Sequence, residues 1–253
     1  MSLLRITLAT AVLLSTGCAT RPAELRIAAA ADLRFALDDL IKTYSAGHGA
    51  VKITPSYGSS GMFYAQLANH APFDLFLSAD ARYPQKLAEQ GLILPGSEFH
   101  YAVGRIVLWT GNGSGIDVAG LGMQALRLPA VKHIAIANPA HAPYGQAAEA
   151  ALRSLGLYDD VKAKLVMGEN ISQAFQLAQS GAAEAGIVAL ALTMAPGVGG
   201  HYWEVPMTAY PKLDQSGVIL NWTANPEAAR QFRAFLLAPE GRAILKRYGF
   251  SGE

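Results

Sequence analysis

The chain has 253 residues, of which 51% are hydrophobic and 15% are charged, so it is too apolar to be disordered and long enough for one or two domains. Its 20 Lys and Arg balance 19 Asp and Glu, which leaves a net charge of +1 and no electrostatic basis for binding nucleic acid or an anionic membrane surface. The single cysteine excludes an internal disulfide, a thiolate zinc site and an iron–sulfur cluster.

The first predicted element is an export segment at residues 1–18. Arg5 precedes an uncharged apolar run, and small residues follow up to Cys18. A basic start, a short apolar run and a small-residue end are the three parts of a secretory signal, and the run is too short to span a bilayer. Ser15-Thr-Gly-Cys18 resembles a lipoprotein cleavage box, which would leave Cys18 acylated at the start of the mature chain. Cleavage after Ala19 is the alternative, so we expect a secreted or a lipid-anchored protein.

Short apolar runs alternate with helical patterns along the rest of the chain. The runs that predict strands begin at Leu25, Val51, Phe73, Ala102, His133, Lys164, Gly186, Tyr202 and Gly217. The run over 102–109 predicts a single strand. The patterns that predict helices cover 33–44, 61–69, 83–90, 144–155 and 172–180, and two further helices begin at Pro226 and Pro239. Such alternation is typical of an α/β architecture with mostly parallel, doubly wound sheets.

Two kinds of catalytic or metal chemistry find weak support in the sequence. The histidines stand at 48, 70, 100, 133, 141 and 201, and no two of them have the spacing of a metal-binding pair. Gly58-Ser-Ser-Gly61 lies between a strand and a helix, where a serine hydrolase has its nucleophile, but it lacks the Gly-x-Ser-x-Gly spacing. A hydrolase that depends on Ser60, with His141 as its candidate base, remains the alternative from a different functional class.

Four predicted strand-to-helix turns offer hydrogen-bond donors to an anion. They are Ala30–Leu33, Ser56–Gly61, Asn138–Gly145 and Gly168–Ser172. Ligands of doubly wound sheets bind at the carboxyl ends of the strands, where helix N-termini expose free N–H groups and the positive end of the helix dipole. None of the four turns contains Lys or Arg, so an anion there would be bound by neutral donors. Helix capping is the alternative explanation for several of these residues: Asp32, Ser59, Ser60 and Asn170.

Six segments of the chain together resemble the periplasmic molybdate-binding proteins of ABC importers. They are Ala28–Leu33, Tyr57–Gly61, Phe73–Asp80, Gly168–Ile171, Gly186–Val188 and Lys246–Phe250. The likeness runs in the family's order from about Leu25 to Phe250, and the stretch from Asp74 to Asp80 is its most specific part. It implies a two-lobed type II periplasmic-binding-protein fold, with residues 24–104 and 207–253 in one lobe and 105–206 in the other. The two strands that cross between the lobes should then lie near Tyr101–Arg105 and Trp203–Thr208.

The resemblance also implies which residues bind the anion. The family's oxyanion ligands fall on Ala31 or Asp32, on the Ser60 hydroxyl, and on the backbone N–H groups of Tyr144 and Ile171. Two positions depart from the family pattern, because Ala31 has no hydroxyl and Ala189 stands where some members have a tyrosine. An Asp32 carboxylate beside a dianion is unfavourable unless it faces away or caps its own helix.

From the resemblance we expect the solute-binding component of an ABC importer, located in the periplasm, that captures molybdate first and tungstate second. The lobes would close on the anion, and the closed form would dock on a permease in the membrane. We expect a monomer with no enzymatic activity, no cofactor and no metal ion coordinated by side chains. The nearest alternative is a sulfate- or phosphate-binding protein, since Asp32 could accept the proton of a phosphate.

Overall fold

The computed structural model describes residues 23–49 and 51–252. The predicted export segment, with Cys18, lies outside these residues. None of the helices within the described ranges combines the length and the apolar character needed to cross a bilayer.

The described residues form strands and helices that mostly follow the predicted order. The strands are β1 (Ala23–Ala30), β2 (Val51–Gly58), β3 (Leu75–Ser78), β4 (Phe99–Gly104), β5 (Ile106–Thr110), β6 (Ile134–Ala137), β7 (Leu165–Gly168), β8 (Ala185–Ala189), β9 (His201–Glu204) and β10 (Leu213–Ile219). The α-helices are α1 (Arg34–Gly47), α2 (Ser60–Leu67), α3 (Arg82–Glu89), α4 (Val118–Leu121), α5 (Pro143–Ser154), α6 (Tyr158–Val161), α7 (Ile171–Gln179), α8 (Leu190–Thr193), α9 (Pro226–Leu237) and α10 (Pro239–Arg247). Short 3-10 helices lie at Ala31–Leu33, Gly122–Arg127, Lys162–Lys164 and Met207–Ala209.

The strands form two five-stranded sheets with the same layout. The first sheet has the order β2-β1-β3-β10-β4 and the second has the order β7-β6-β8-β5-β9. In each sheet four strands run in one direction, and the remaining strand, β10 or β5, runs antiparallel to its neighbours. That reversed strand is the one that arrives from the other sheet. We call the first sheet with α1, α2, α3, α9 and α10 the first unit, and the second sheet with α4, α5, α6 and α7 the second unit.

The chain passes between the two sheets at two places, and the hydrophobic pattern by itself gave no sign of the first of them. The prediction of a single strand over 102–109 is wrong, because the chain leaves the first sheet at Gly104 and enters the second at Ile106. The residues on both sides of this break are buried and apolar, so the run of hydrophobic residues continues across it and gives no sign of a boundary. The return passage covers residues 205–212, between β9 and β10.

Both faces of β1 are covered in its second half, which explains the unbroken apolar run Ile27–Ala30. Leu25, Ile27 and Ala29 belong to the core cluster that α1 and α9 also line, whereas Ala28 packs on the opposite face with Phe63 and Phe76. On α1 the apolar residues recur at helical spacing and face this core: Ala36, Leu37, Leu40 and Tyr44. A strand enclosed in this way fixes the position of its carboxyl end, and the 3-10 helix at Ala31–Leu33 follows from that end directly.

Candidate functional site

Turns from both units line one small cavity at the carboxyl ends of β1, β2 and β6. Its lining residues are Ala30, Ala31, Asp32, Gly58, Ser59, Ser60, Ala79, Ala142, Pro143, Tyr144 and Ile171. The structure therefore brings together the five residues that the sequence analysis selected, while Ala189 is not among the lining residues. The space between them measures about 10 Å³, no more than one water molecule needs. None of these lining residues is Lys, Arg or His.

The first unit contributes the N-terminus of α2. Ser59 is the N-cap of this helix, since its Oγ accepts a hydrogen bond from the Met62 N–H at 3.4 Å. Ser60 begins the helix, and its Oγ accepts the Ala79 N–H at 3.0 Å. That bond occupies an oxygen lone pair and leaves the hydroxyl hydrogen available to an acceptor in the cavity. Of the two candidate caps, the structure thus assigns capping to Ser59 and leaves Ser60 for another role.

The second unit contributes the N-termini of α5 and α7. Helix α5 begins with Pro143, so the amide of Tyr144 is its first N–H and has no intrahelical acceptor one turn earlier. Helix α7 begins at Ile171 after the cap Asn170, whose side chain accepts the Gln173 N–H at 3.1 Å. The cap explanation of Asn170 is confirmed. The amides of Tyr144 and Ile171 are both first-turn N–H groups that line the cavity.

Asp32 is the charged side chain of the cavity wall, and it is almost completely buried at 1% exposure. Its Oδ2 accepts the Tyr144 hydroxyl at 2.9 Å and the Gln215 Nε2 at 2.6 Å, while its Oδ1 has no hydrogen-bond partner. Burial raises the pKa of this carboxyl to about 6, against the opposing effect of the bonds from Gln215 and Tyr144 and, more weakly, of the backbone N–H groups of Asp32 and Leu33. The side chain therefore does not serve as a simple helix cap.

Four hydrogen bonds, which we call the closure contacts, join the two units around the cavity. The Tyr144 hydroxyl donates to Asp32, and the Ser172 Oγ donates to the Ala31 carbonyl at 2.7 Å. On the opposite rim the Gly61 N–H donates to the His141 carbonyl at 3.0 Å, and Ser59 Oγ lies 2.8 Å from the His141 Nδ1. Each closure contact joins a turn of the first unit to a turn of the second. The turn Ala30–Leu33 contacts both Asn138–Gly145 and Gly168–Ser172, and Ser56–Gly61 contacts Asn138–Gly145.

Two of the residues that shape the site, Gln215 and Ser172, were not selected from the sequence, and His141 was selected only as the candidate base of a hydrolase. Gln215 is a fully buried residue of β10. Its Nε2 donates a hydrogen bond to Asp32 Oδ2, and its Oε1 accepts one from the Tyr101 hydroxyl at 2.8 Å. Gln215 lies between two other polar residues, Asp214 and Ser216, so the sequence of β10 gave no signal that distinguished it. Ser172 and His141 act across the gap between the units, and a sequence carries no sign of such a contact.

The structure gives Ser60 no histidine partner among the described residues. His141, the candidate base of a hydrolase, contacts Ser59, and its Nε2 lies 3.7 Å from the Glu169 Oε2. The Ser60 Oγ is instead an acceptor for a backbone amide. The described residues also contain no group of three or more His, Cys, Asp or Glu side chains placed to bind a metal ion.

Comparisons with known proteins agree over most of the chain. The sequence profile of the family described as bacterial extracellular solute-binding protein matches residues 25–251. The molybdate-binding protein ModA of Rhodobacter capsulatus is 40% identical over 211 residues, 83% of this chain and 81% of that protein. The ModA of Azotobacter vinelandii is 39% identical over 235 residues, 92% of either chain.

A solved structure shows the same architecture. The periplasmic molybdate-binding protein of Azotobacter vinelandii superposes with a TM-score of 0.84 at 37% identity, covering 90% of this chain and 99% of that one. The α/β fold with two sheets flanked by helices, expected from the sequence, is confirmed.

Proposed function

Because the chain belongs to the family of bacterial extracellular solute-binding proteins, we propose that it is the solute-binding component of an ABC importer and captures molybdate or tungstate. The observation that carries this proposal is the cavity in which neutral donors from both units converge. The names of the relatives at 39–40% identity support molybdate as the anion. The name of the Azotobacter structure supports the periplasm as the location. Lipid anchoring through Cys18 and a monomeric state remain predictions.

The donors proposed for the anion are the Ser60 hydroxyl and the N–H groups of Tyr144, Ile171 and Asp32. Each hydrogen bond to a charged acceptor contributes about 1.5–3 kcal/mol, so several together offset the cost of desolvating and ordering a dianion. Ala31 supplies no hydroxyl, and its carbonyl accepts from Ser172. The first turn therefore has to donate through its backbone.

We propose that entry and release proceed by hinge motion of two lobes, residues 24–104 with 207–253 against residues 105–206. The crossing at Arg105 and the one over 205–212 are the connections about which they would turn. With about 10 Å³ between the turns, the two sides must separate to admit a tetrahedral oxyanion. A permease that favours the open form would withdraw the donors of α5 and α7 together, and the affinity would fall.

Competitive calorimetry with molybdate, tungstate, sulfate and phosphate tests the proposed function. We expect molybdate and tungstate to bind with micromolar or tighter affinity and to exclude sulfate and phosphate. Elemental analysis of the protein as purified should find molybdenum or tungsten. Preferential binding of sulfate or phosphate would contradict the proposal, and phosphate preference would assign Asp32 as the acceptor of the phosphate proton.

The substitution Ser60→Ala should weaken molybdate binding by about 1–3 kcal/mol, roughly 5- to 150-fold, because it removes one donor to a charged acceptor. Calorimetry of the folded variant measures the effect. The control is Ser180→Ala, which removes an exposed hydroxyl bonded to the Leu177 carbonyl at 3.2 Å, far from the cavity lining. Unchanged affinity in Ser60→Ala would remove Ser60 from the site. Ester hydrolysis that disappears in this variant would instead favour the hydrolase.

A further inference from the structure

A buried carboxyl group stands on the wall of a cavity proposed to receive a dianion. Asp32 is 1% exposed and lines the cavity together with Ser60, Tyr144 and Ile171. An ionised carboxylate at that position repels a dianion, and the lining contains no Lys, Arg or His to offset the repulsion. The same carboxyl in its neutral form is a hydrogen-bond donor.

The hydrogen bonds of Asp32 leave one oxygen for a proton. Oδ2 accepts from the Tyr144 hydroxyl and from the Gln215 amide, so both of its bonds come from neutral donors. Oδ1 is buried and has no hydrogen-bond partner. A proton on Oδ1 would keep both existing bonds and would create the donor that the missing hydroxyl of Ala31 does not supply.

The groups that face Asp32 from the packed elements are neutral at ordinary pH. They are Tyr144 of α5, Tyr101 of β4, Gln215 of β10 and the backbone amides of Asp32 and Leu33. On α7 the Ser172 hydroxyl bonds the neighbouring Ala31 carbonyl, and α8 contributes no titratable side chain. Burial and the nearby Asp32 carboxyl raise the pKa of Tyr101 and Tyr144 well above the usual tyrosine value, so both hydroxyls are neutral at ordinary pH. On β2 the Tyr57 hydroxyl donates to Asp38 of α1. The charge of Asp38 raises the pKa of Tyr57, and the charge of Arg34, also on α1, lowers it. Burial has already raised the pKa of Asp32 to about 6.

Building on the proposed function, we propose that Asp32 binds the oxyanion as a neutral carboxylic acid that donates from Oδ1. The proton comes from solvent, so the protein takes up one proton for each dianion bound whenever Asp32 is ionised beforehand. The anion remains a dianion, no covalent bond of the anion changes, and the positive charge of the proton compensates the carboxylate. Asp32 thereby makes the affinity depend on pH, although neither molybdate nor sulfate titrates near neutral pH.

Calorimetry of molybdate binding between about pH 5.5 and 8.5, in buffers with different heats of ionisation, tests this proposal. We expect uptake of about one proton per anion well above pH 6 and less below it. The dissociation constant should rise about tenfold per pH unit above about pH 6. Asp32→Asn, which carries a neutral amide donor, should bind without proton uptake, independently of pH, and more tightly than the wild type at the alkaline end. Asp159→Asn, an exposed carboxyl on α6, is the matched control and should behave as wild type.

The outcomes separate the proposal from the proposed function. If no tetrahedral oxyanion binds at any pH, the proposed function fails. If molybdate binds without proton uptake and with the same affinity at each pH, the proposed function stands and the role of Asp32 is refuted. Proton release, or loss of binding in a folded Asp32→Asn variant, would also refute it, because the carboxylate would then act as an acceptor.

Discussion

Replacing Gly61 with valine should lower the affinity for molybdate by about a hundredfold or more, because the two units can no longer close. Gly61 lies in the first turn of α2, and its N–H donates to the His141 carbonyl of the second unit. A Cβ at this position would lie 2.5 Å from that carbonyl oxygen and 2.8 Å from the Tyr83 hydroxyl. The tyrosine side chain can move, but the backbone of the 138–145 turn has to retreat as a whole.

The size of the effect follows from the donors that this retreat removes. The turn that carries His141 leads directly into α5, so displacing it withdraws the Tyr144 amide, and a unit held open withdraws Ile171 of α7 as well. Two hydrogen bonds to a charged acceptor contribute about 3–6 kcal/mol together, which corresponds to a factor of more than a hundred in the dissociation constant.

Calorimetry measures the affinity of Gly61→Val, and small-angle X-ray scattering shows whether added molybdate still contracts the molecule. We expect weak binding and no contraction. Gly47→Val is the control, since a Cβ at this exposed position on α1 meets nothing within 4 Å. Wild-type affinity in Gly61→Val would mean that anion binding does not require the approach of α2 to His141.

The sequence predicted the alternation of strands and helices well, and the reason lies in the burial pattern. Strand β6 and the Ile27–Ala30 half of β1, enclosed on both faces, appear as short uninterrupted apolar runs, and α1 has its apolar residues at helical spacing. The hydrophobic pattern did not reveal the crossing at Arg105, because β4 and β5 are both buried and hydrophobicity does not show which sheet a strand joins. Only the family resemblance implied a crossing there. The short helices α4, α6 and α8 have four residues each, too few for a periodic pattern.

The candidate site could likewise be predicted from the sequence only in part. Ser60, Tyr144 and Ile171 begin helices after strands, and local sequence together with family resemblance was enough to select them. Gln215 comes from a strand more than 180 residues after Asp32, so only the folded sheet places its amide beside that carboxylate. The contacts of Ser172 and His141 exist only when the units approach each other, and no local pattern encodes that approach.

Between about pH 4 and pH 7 the free energy of unfolding of anion-free Asp32→Asn should rise relative to that of the wild type by about 2 kcal/mol. The pKa of Asp32 is about 6 in the folded chain against an ordinary value of 3.8, and the folded state therefore binds this proton more tightly than the unfolded chain does. The stabilisation that the neutral carboxyl provides is complete below about pH 3.8 and is lost as the pH rises through about 6. The amide has no charge to bury, and its Oδ1 can accept from Tyr144 and Gln215 as Oδ2 does in Asp32.

Urea unfolding of both proteins at several pH values measures this effect as the difference between their free energies of unfolding. Other carboxyl groups titrate in the same range, but they contribute equally to wild type and variant and cancel in the difference. Glu89→Gln, at an exposed position of α3, is the control and should differ from wild type by a similar small amount throughout. A difference for Asp32→Asn that stays constant from pH 4 to pH 7 would contradict the prediction and show that Asp32 ionises as readily in the folded chain as in water.

The stability measurement and the binding measurement test two properties of the same carboxyl group. A pH-dependent gain in stability requires only that Asp32 be buried away from compensating charge, whereas proton uptake on binding requires that its Oδ1 face the anion. If the stability of the variant changes with pH and the affinity of the wild type does not, Asp32 is a buried acid turned away from the ligand. If both change, one ionisation explains both effects, because ionised Asp32 destabilises the anion-free protein and must take up a proton before the anion is bound. The stability effect compares the pKa of Asp32 in the folded and unfolded chains, whereas the affinity compares it in the anion-bound and anion-free protein.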